Sequence, residues 1–468
     1  MQLLSILFLI LYSLAIVGVM LVIITDNRNP LKSLPWIVVL LLAPVVGLVG
    51  YFFFGQDLSK RRIIPRRMRR QLQMHFDHLP PAAIPAQWEP LSELLVNTIR
   101  AVPLPGNRLE PYTDGTGKLE ALHAAIAGAR HHIHLQYYIF DDDRTGHALR
   151  EALIRKAQEG VEVRILYDDV GCARVKKAFF EEMRRHGIEV HAFLHVQFPR
   201  FTSKVNYRNH RKVAVIDGRI GFLGGMNIAD RYVDGPAWGS WRDNHFRIEG
   251  CAVAGLQASF LSDWSATTKQ AITDPRYYPQ PEPHPDGALL QLVAGTPFGK
   301  WRALLQGVSY AIANARRRIW IQTPYYLPSE VLNTALQEAA LAGRDVRLML
   351  PERSDSRLVN TASHSFLDDM LRAGVKILFY QPGFLHAKLL IVDDDLTVIG
   401  SANMDFRSFE HNFELNGFVY DRSFAARMAA VFEADAHNCR AVTPHEWFRR
   451  PRRRRLAESF LRLFAPLM

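Results

Sequence analysis

One pattern occurs twice at a fixed separation, and it limits the fold more than any other feature of this 468-residue chain. His210, Lys212 and Asp217 stand in RNHRKVAVID; His386, Lys388 and Asp393 stand with the same spacing in FLHAKLLIVD, 176 residues later. Asn227 follows the first histidine by 17 and Asn403 follows the second by 17, each with a glycine (Gly224, Gly400) three residues before it. The flanking sequence repeats as well. LEALHAAIAGARHHIHLQYYIF pairs with WRALLQGVSYAIANARRRIWIQTPYYL, each an amphipathic helix and then a strand carrying a glutamine, Gln136 or Gln322. HALREALIRKAQEGVEVRILYD pairs with EVLNTALQEAALAGRDVRLMLP, and FFEEMRRHGIEVHAF with FLDDMLRAGVKILFY, both reading as helix, Gly turn and apolar strand. A period this long marks a duplicated domain rather than a solenoid. Strands alternating with helices of this length predict an α/β fold with the motif strands inside the sheet.

Residues two apart on a strand share a face, so His210 should point with Lys212 and His386 with Lys388. Asp217 and Asp393 lie an odd number of residues away and should point to the other face, ending the strand as structural members of their trios. Two copies folded face to face would bring two histidines, two lysines and two asparagines (Asn227, Asn403) into one cleft. That set suits a phosphodiester. The lysines and amides neutralise the non-bridging oxygens, one neutral imidazole attacks phosphorus, and the other, protonated, serves the leaving alcohol. An acceptor hydroxyl then breaks the phosphohistidine, giving net retention. Each imidazole needs its second nitrogen oriented: Asp243, in WRDNHFRIEG, is the candidate for His210, and Glu414, in HNFELNGF, for His386, with ordinary strand-edge acids as the alternative. No HExxH or Cys/His ligand set is present, and no metal or other cofactor is expected. HHIH, 131 to 134, looks like a metal cluster, but on a strand its histidines divide between two faces, which points to packing or surface.

The ends of the chain differ from this body. Leu3 to Ile24 and Trp36 to Phe54 carry no charge; at 1.5 Å per residue each approaches or exceeds the roughly 30 Å hydrocarbon core. Pro44, Gly47 and Gly50 interrupt the second run, as membrane helices tolerate. Arg28 and Lys32 lie between the runs, against seven basic residues (Lys60, Arg61, Arg62, Arg66, Arg67, Arg69, Arg70) just after them. This bias puts both termini and the body in the cytoplasm. Three scattered cysteines in the whole chain fit a reducing compartment. A net charge of +11 suggests an anionic partner, nucleic acid or lipid surface, with simple solubility as the alternative; the two apolar runs favour lipid. Arg449, Arg450 and Arg452 to Arg455 precede the apolar ending FLRLFAPLM, a basic amphipathic tail suited to anionic lipid.

The duplicated motif, with GGMN after the first copy and GSAN after the second, resembles the signature of the phospholipase D superfamily. Trp36, Pro44, Gly47, Tyr51, Gly55 and the ending FLRLFAPLM make the chain similar, over almost its whole length, to the bacterial cardiolipin synthases. The resemblance implies two phospholipase D-like α/β/α repeats forming one bilobal catalytic unit, preceded by a two-helix transmembrane hairpin. The expected divisions are the hairpin at 1–58 (spans about 3–24 and 36–54), a basic juxtamembrane linker at 59–104 and the first repeat at 105–273. A Pro-rich linker at 274–287, the second repeat at 288–448 and the tail at 449–468 follow. It further implies transfer of a phosphatidyl group from one phosphatidylglycerol to another, giving cardiolipin and glycerol in a bacterial cell membrane. His210 is the implied nucleophile, His386 the acid/base, and Ser401 joins the asparagines at the substrate. A hydrolytic phospholipase D acting on membrane phospholipids is the alternative. A nuclease is disfavoured by the apolar runs, and a catalytically dead membrane scaffold by the two intact trios.

Overall fold

The computed structural model describes residues 2–25, 30–51, 83–193, 195, 206–280 and 282–468. The basic run from Lys60 to Arg70 and most of the linker up to residue 82 lie outside them. Two compact units divide the chain: one comprises Met1–Lys60 with Val196–Tyr207, the other Arg61–His195 with Arg208–Met468.

In the first unit, helices run over Gln2–Thr25, Pro30–Leu42 and Pro44–Gly50. Ile23, Leu40 and Tyr51 are buried among them, and the Trp36 ring meets Tyr51 edge-on with centroids 5.7 Å apart. Gly47 allows the close approach, since a Cβ there would lie 2.9 Å from Leu40 Cα. Counting only residues whose side chains are described, no helix is long and apolar enough to cross a membrane; the first backbone helix is continuous over 24 residues.

The second unit is built on one 16-stranded mixed sheet. Each repeat contributes the same order of strands. In the first, Pro103–Tyr112 pairs with His245–Glu249, then come Ile220–Gly224, Val213–Ile216, His132–Tyr137, Glu162–Asp168 and Glu189–Phe193. In the second, Ala288–Gly295 pairs with Asn412–Tyr420, then come Leu396–Gly400, Leu389–Val392, Arg318–Gln322, Asp345–Pro351 and Lys376–Tyr380. Pro103–Tyr112 and Ala288–Gly295 pair antiparallel and fuse the two half-sheets edge to edge. The strands read as apolar runs because helices cover both faces: Val213–Ile216, Leu389–Val392, Leu396–Gly400 and Asn412–Tyr420 are buried at every position. The Pro-rich stretch at 274–287 leads into Ala288–Gly295 and so joins the halves at the centre of the sheet.

The motif aspartates behave as strand terminators. Asp217 and Asp393 follow their four-residue strands in the left-handed region, with φ of 53° and 55°, a conformation Asp tolerates better than bulkier residues. The Asp217 carboxylate accepts the backbone N–H groups of Arg130, His131 and His132 at 2.8, 2.8 and 2.9 Å. Asp393 does the same for Arg316, Arg317 and Arg318 at 3.0, 2.7 and 3.2 Å. Each clamps the start of the neighbouring strand, at the end of the motif strand away from its histidine. Asp217→Asn turns an amide N–H toward one of those donors. We expect a Tm lower by several degrees, consistent with about 1–3 kcal/mol for lost hydrogen bonds to a charged group, with specific activity per folded molecule kept within about twofold. A fully folded but inactive variant would contradict this placement.

Candidate active site

His210 and Lys212 do not lie within a strand. They occupy a short irregular link between Arg208–Asn209 and Val213–Ile216, and His386 and Lys388 occupy the matching link between Gly383–Leu385 and Leu389–Val392. This corrects the expectation of a single strand through the motif, and the reason is a crossing of the repeats. Arg208–Asn209 pairs parallel with Asn412–Phe413 of the second repeat, and the His210 N–H donates to Phe413 O at 2.9 Å. Reciprocally, Gly383–Leu385 pairs parallel with Ser240–Arg242 of the first repeat, and the His386 N–H donates to Arg242 O at 2.7 Å. The chain must bend after each crossing to rejoin its own sheet, and the histidine sits at the bend.

The crossing also decides which acid holds which histidine. The residue after Phe413 is Glu414, and its carboxylate oxygens lie 3.0 and 3.1 Å from His210 Nδ1. Asp243 follows Arg242, and its Oδ2 lies 2.6 Å from His386 Nδ1. The same-repeat pairings expected from sequence, Asp243 with His210 and Glu414 with His386, are therefore exchanged. Both carboxylates are buried, while the histidine side chains keep 12 % and 9 % of their surface exposed. With Nδ1 turned to a carboxylate, Nε2 is the nitrogen left for chemistry in each ring.

Lys212 Nζ donates to His210 O at 2.6 Å, and Lys388 Nζ donates to His386 O, matching contacts that hold each ammonium beside its own histidine. Burial drives the Lys212 amine well below its usual range and brings Lys388 to about 8. Each lysine feels both Glu414 and Asp243, so the two motifs form one electrostatic site. Burial likewise lowers His210, and burial with the Lys388 charge lowers His386 to about 4, leaving both imidazoles neutral near pH 7. Burial pushes the Glu414 and Asp243 carboxyls up, but the facing histidines and lysines outweigh it and hold both below the usual range, ionised.

The glycines and the GGMN/GSAN difference acquire a reason. A Cβ on Gly224 would lie 2.5 Å from His245 Cα, and one on Gly400 2.6 Å from Asn416 Cα. One residue on, Ser401 donates its hydroxyl to Glu414 and accepts the Leu415 N–H at 3.0 Å. At the matching Gly225 a Cβ would fall 2.2 Å from Asp243 Oδ1, so the shorter acid admits no side chain there. Ser401, expected at the substrate, is thus engaged in fixing Glu414. Asn227 donates to Tyr232 Oη and accepts the Ile139 N–H at 3.0 Å; Asn403 donates to Asp405 Oδ2 at 3.1 Å while its own Oδ1 is buried without a partner among the described residues.

Two arginines that no sequence motif marks brace the crossing. Arg211 Nη1 meets Asp263 Oδ2 at 2.6 Å and Arg211 Nε donates to Glu414 O at 3.1 Å. Arg242 Nη2 meets Asp435 Oδ2 at 2.8 Å and Arg242 Nη1 donates to Asp243 O at 2.6 Å. Gln136 and Gln322 complete the pattern, donating to Asp263 at 2.6 Å and Asp435 at 2.7 Å. The legible signal was an aspartate buried on an apolar helix in each repeat, 172 residues apart. The HHIH histidines are packing residues: His132 and His134 share one face with ring centroids 4.6 Å apart, and Tyr277 packs against them and His131. Among the described residues, no group of three or more His, Cys, Asp and Glu side chains is arranged to hold a metal ion.

Comparison with known proteins agrees with this geometry. A family model described as the PLD-like domain of cardiolipin synthase matches residues 122–264 and 308–436, and one described as the N-terminal region of phospholipase D-nucleases matches residues 10–56. Cardiolipin synthase 2 of Bacillus cereus is 40 % identical, covering 96 % of this chain and 89 % of that protein. The major cardiolipin synthase of Bacillus subtilis is 37 % identical over the full length of both. Among solved structures, phosphatidylserine synthase of Haemophilus influenzae shares the fold, with a TM-score of 0.62, 14 % identity and coverage of 81 % of this chain and 97 % of that one. The chain belongs to the cardiolipin synthase family of phospholipase D-like enzymes.

The two supports of the carboxylates differ in what they tolerate. Gly225→Ala should lower activity by about 100-fold or more, because the methyl displaces the Asp243 carboxylate and a misplacement of about 1 Å is enough for that loss. Ser401→Ala removes one hydrogen bond to a charged group and should cost about tenfold. Specific activities on the same vesicles check both, and losses of equal size would contradict the assignment.

Proposed function

We propose that the chain condenses two molecules of phosphatidylglycerol into cardiolipin and glycerol through a phosphohistidine. The observation that carries this is the exchanged pairing: two neutral imidazoles, each with Nδ1 held by the other repeat's carboxylate, beside two buried lysines. His210 Nε2 attacks the phosphorus of the first lipid. The substrate's negative charge raises the proton affinity of His386, which takes up a proton from water at Nε2 as the lipid binds and gives it to the departing glycerol oxygen as the P–O bond breaks. Lys212 and Lys388, with the amides of Asn227 and Asn403, neutralise the non-bridging oxygens as charge develops. The terminal hydroxyl of a second phosphatidylglycerol then loses its proton to His386 and attacks phosphorus, the P–N bond breaks, and His210 is restored. Both histidines end as they began.

The amino-terminal unit is the anchor in this reading. Its large apolar side chains, among them Ile6, Leu14, Leu21, Leu42 and Val46, are exposed, which suits lipid rather than water. Two spans of about 3–24 and 36–54, with the basic excess on the far side, leave both termini and the catalytic unit cytoplasmic. At the other end Arg452–Arg462 is a helix whose Leu456 and Phe460 are exposed together with Leu463 and Phe464 just beyond it. A basic helix with an apolar edge suits an anionic lipid surface.

Vesicles of head-group-labelled phosphatidylglycerol test the reaction directly. Cardiolipin and glycerol in equal amounts are expected, whereas phosphatidic acid with glycerol and no cardiolipin would make the enzyme a hydrolase. His210→Ala and His386→Ala should each lower turnover by about 1,000-fold or more. With phosphatidyl-p-nitrophenol, whose leaving group departs without a proton, His386→Ala and Asp243→Asn should keep most of the first step. His210→Ala and Glu414→Gln should lose it. The reverse pattern would make His386 the nucleophile and overturn the assignment.

A further inference from the structure

Both histidines are held by carboxylates, but the carboxylates are supported differently. Glu414 rests on neutral donors: the Ser401 hydroxyl, and Asn412 Nδ2 at 3.1 Å. Asp243 has no such hydroxyl, because Gly225 stands where Ser401 stands in the other repeat. Its Oδ1 accepts the Asn244 N–H at 2.7 Å, and beyond that donor and His386 its neighbours are cations. Lys388 Nζ lies 3.9 Å from Asp243 Oδ2 on the substrate side. A second lysine, Lys118, which the transfer steps above do not use, also interacts with the Asp243 charge.

Lys118 sits in the first turn of the helix Gly115–Ala127, which Asp114 caps by accepting the Gly117 N–H at 2.9 Å. That helix begins directly behind Asp243: the Asp243 N–H donates to Thr113 O at 3.3 Å, and Gly115 lies so close to Tyr232 O that a Cβ would come within 2.1 Å of it. Lys118 has no exposed surface, and its Nζ lies 4.7 Å from the centroid of the Tyr137 ring. Among the described residues, Lys118 Nζ, Tyr137 Oη and both ring nitrogens of His245 have no hydrogen-bond partner although all are buried. Four unsatisfied polar atoms, on Lys118 and the two residues that face it, are a stability cost that packing alone does not explain.

The other repeat supplies the comparison. The N–H clamps of Asp217 and Asp393 align Arg130–His132 with Arg316–Arg318, which puts Leu304 opposite Lys118 and Thr323 opposite Tyr137. Pairing of Gly224 with His245 and of Gly400 with Asn416 aligns those two residues. Leu304 is an ordinary core residue, Thr323 donates to Tyr325 O at 2.9 Å, and Asn416 accepts the Ala402 N–H at 3.1 Å. Behind Glu414 the positions are apolar or satisfied; behind Asp243 they are cationic and unsatisfied.

We propose that Lys118 is a positioning residue for the acid/base step: a buried cation behind Asp243 that weakens the hold of the Asp243–His386 pair on its proton. Glu414 faces Lys212 but has Leu304 where Asp243 has Lys118, so it keeps more pull on the His210 Nδ1 proton and makes Nε2 the better nucleophile. Asp243, flanked by Lys388 and Lys118, exerts less pull and makes protonated His386 the stronger acid. Asymmetry between two copies of one motif thus divides the roles. The groups that face Lys118 are Asp243, His245 and Tyr137, with His123 on its own helix; those that face His386 are Asp243, Lys388, Asp355 and Tyr232. Burial brings Lys118 to about 7, with Asp243 opposing that fall, so its charge is present through the lower half of the neutral range.

The inference rests on His386 being the acid/base, and the experiment separates the two. Full-length Lys118→Leu, which copies Leu304, is placed in phosphatidylglycerol vesicles, and single-turnover release of glycerol is followed against pH. Removing the cation raises the proton affinity of His386, so the alkaline limb should move up by about one pH unit, with a several-fold lower plateau. His245→Asn, copying Asn416, should leave the limb in place. The Lys118→Leu protein should melt no lower than the native one, since an unpaired buried amine is removed. An unmoved limb in the folded variant overturns the proposal, and so does a variant that fails to fold, because Lys118 would then be structural. Mass spectrometry of the adduct, quenched in denaturant at mildly alkaline pH where the P–N bond survives, reports the roles independently: phosphate on His386 instead of His210 would refute the role assignment whatever the pH limb does.

Discussion

The rest of the structure depends on an exchange: each repeat's histidine is held by the other repeat's carboxylate. Glu414 and Asp243 are ionised inside a protein, which is tolerable only when each is paired and hydrogen-bonded. Their partners arrive across the pseudo-twofold relation, carried by the short parallel pairings of Arg208–Asn209 with Asn412–Phe413 and of Gly383–Leu385 with Ser240–Arg242. A single repeat would leave a buried carboxylate without its histidine and an imidazole without an orienting acid. Removing one partner of a buried pair costs about 3–5 kcal/mol, so the catalytic arrangement and the association of the halves draw on the same contacts. The fused sheet and the Arg211 and Arg242 braces then hold the crossing in place.

Much of this was legible in the sequence. The 176-residue spacing, the Gly and Asn offsets and the alternation of helices and strands led to a duplicated α/β unit with both His-Lys pairs expected in one cleft. The aspartates do end their strands, in the left-handed region, although the parity argument for them assumed a single strand through the motif. What could not be read was the partner of each histidine. Spacing along a chain says which residues are close in one repeat; it does not say that the segments before the motifs swap sheets. Asp243 and Glu414 were identified, yet assigned to the wrong rings for that reason. The bend that places His210 and Lys212 outside a strand is hidden by the same fact, since a local pattern of apolar residues looks continuous through it.

Buried polar residues with no motif around them were also invisible. Arg211 looks like one more basic residue between His210 and Lys212, and Lys118 like a solvated lysine near a helix start. Only the three-dimensional alignment of the repeats shows that Arg211 braces Glu414 and that Lys118 has a leucine as its counterpart. Ser401 shows the converse: sequence placed it at the substrate by its motif position, and the structure commits its hydroxyl to Glu414.

The stereochemical course at phosphorus tests the central claim most directly, because it counts displacements without relying on any variant. Phosphatidylglycerol made chiral at phosphorus by sulfur and oxygen-isotope substitution would be converted in vesicles, and the configuration of the product read by phosphorus NMR. One shared site with a histidine adduct requires two in-line displacements, and the account predicts net retention. Net inversion would mean a single direct attack by the acceptor lipid, and would contradict the assignment of His210 as nucleophile and His386 as its acid/base.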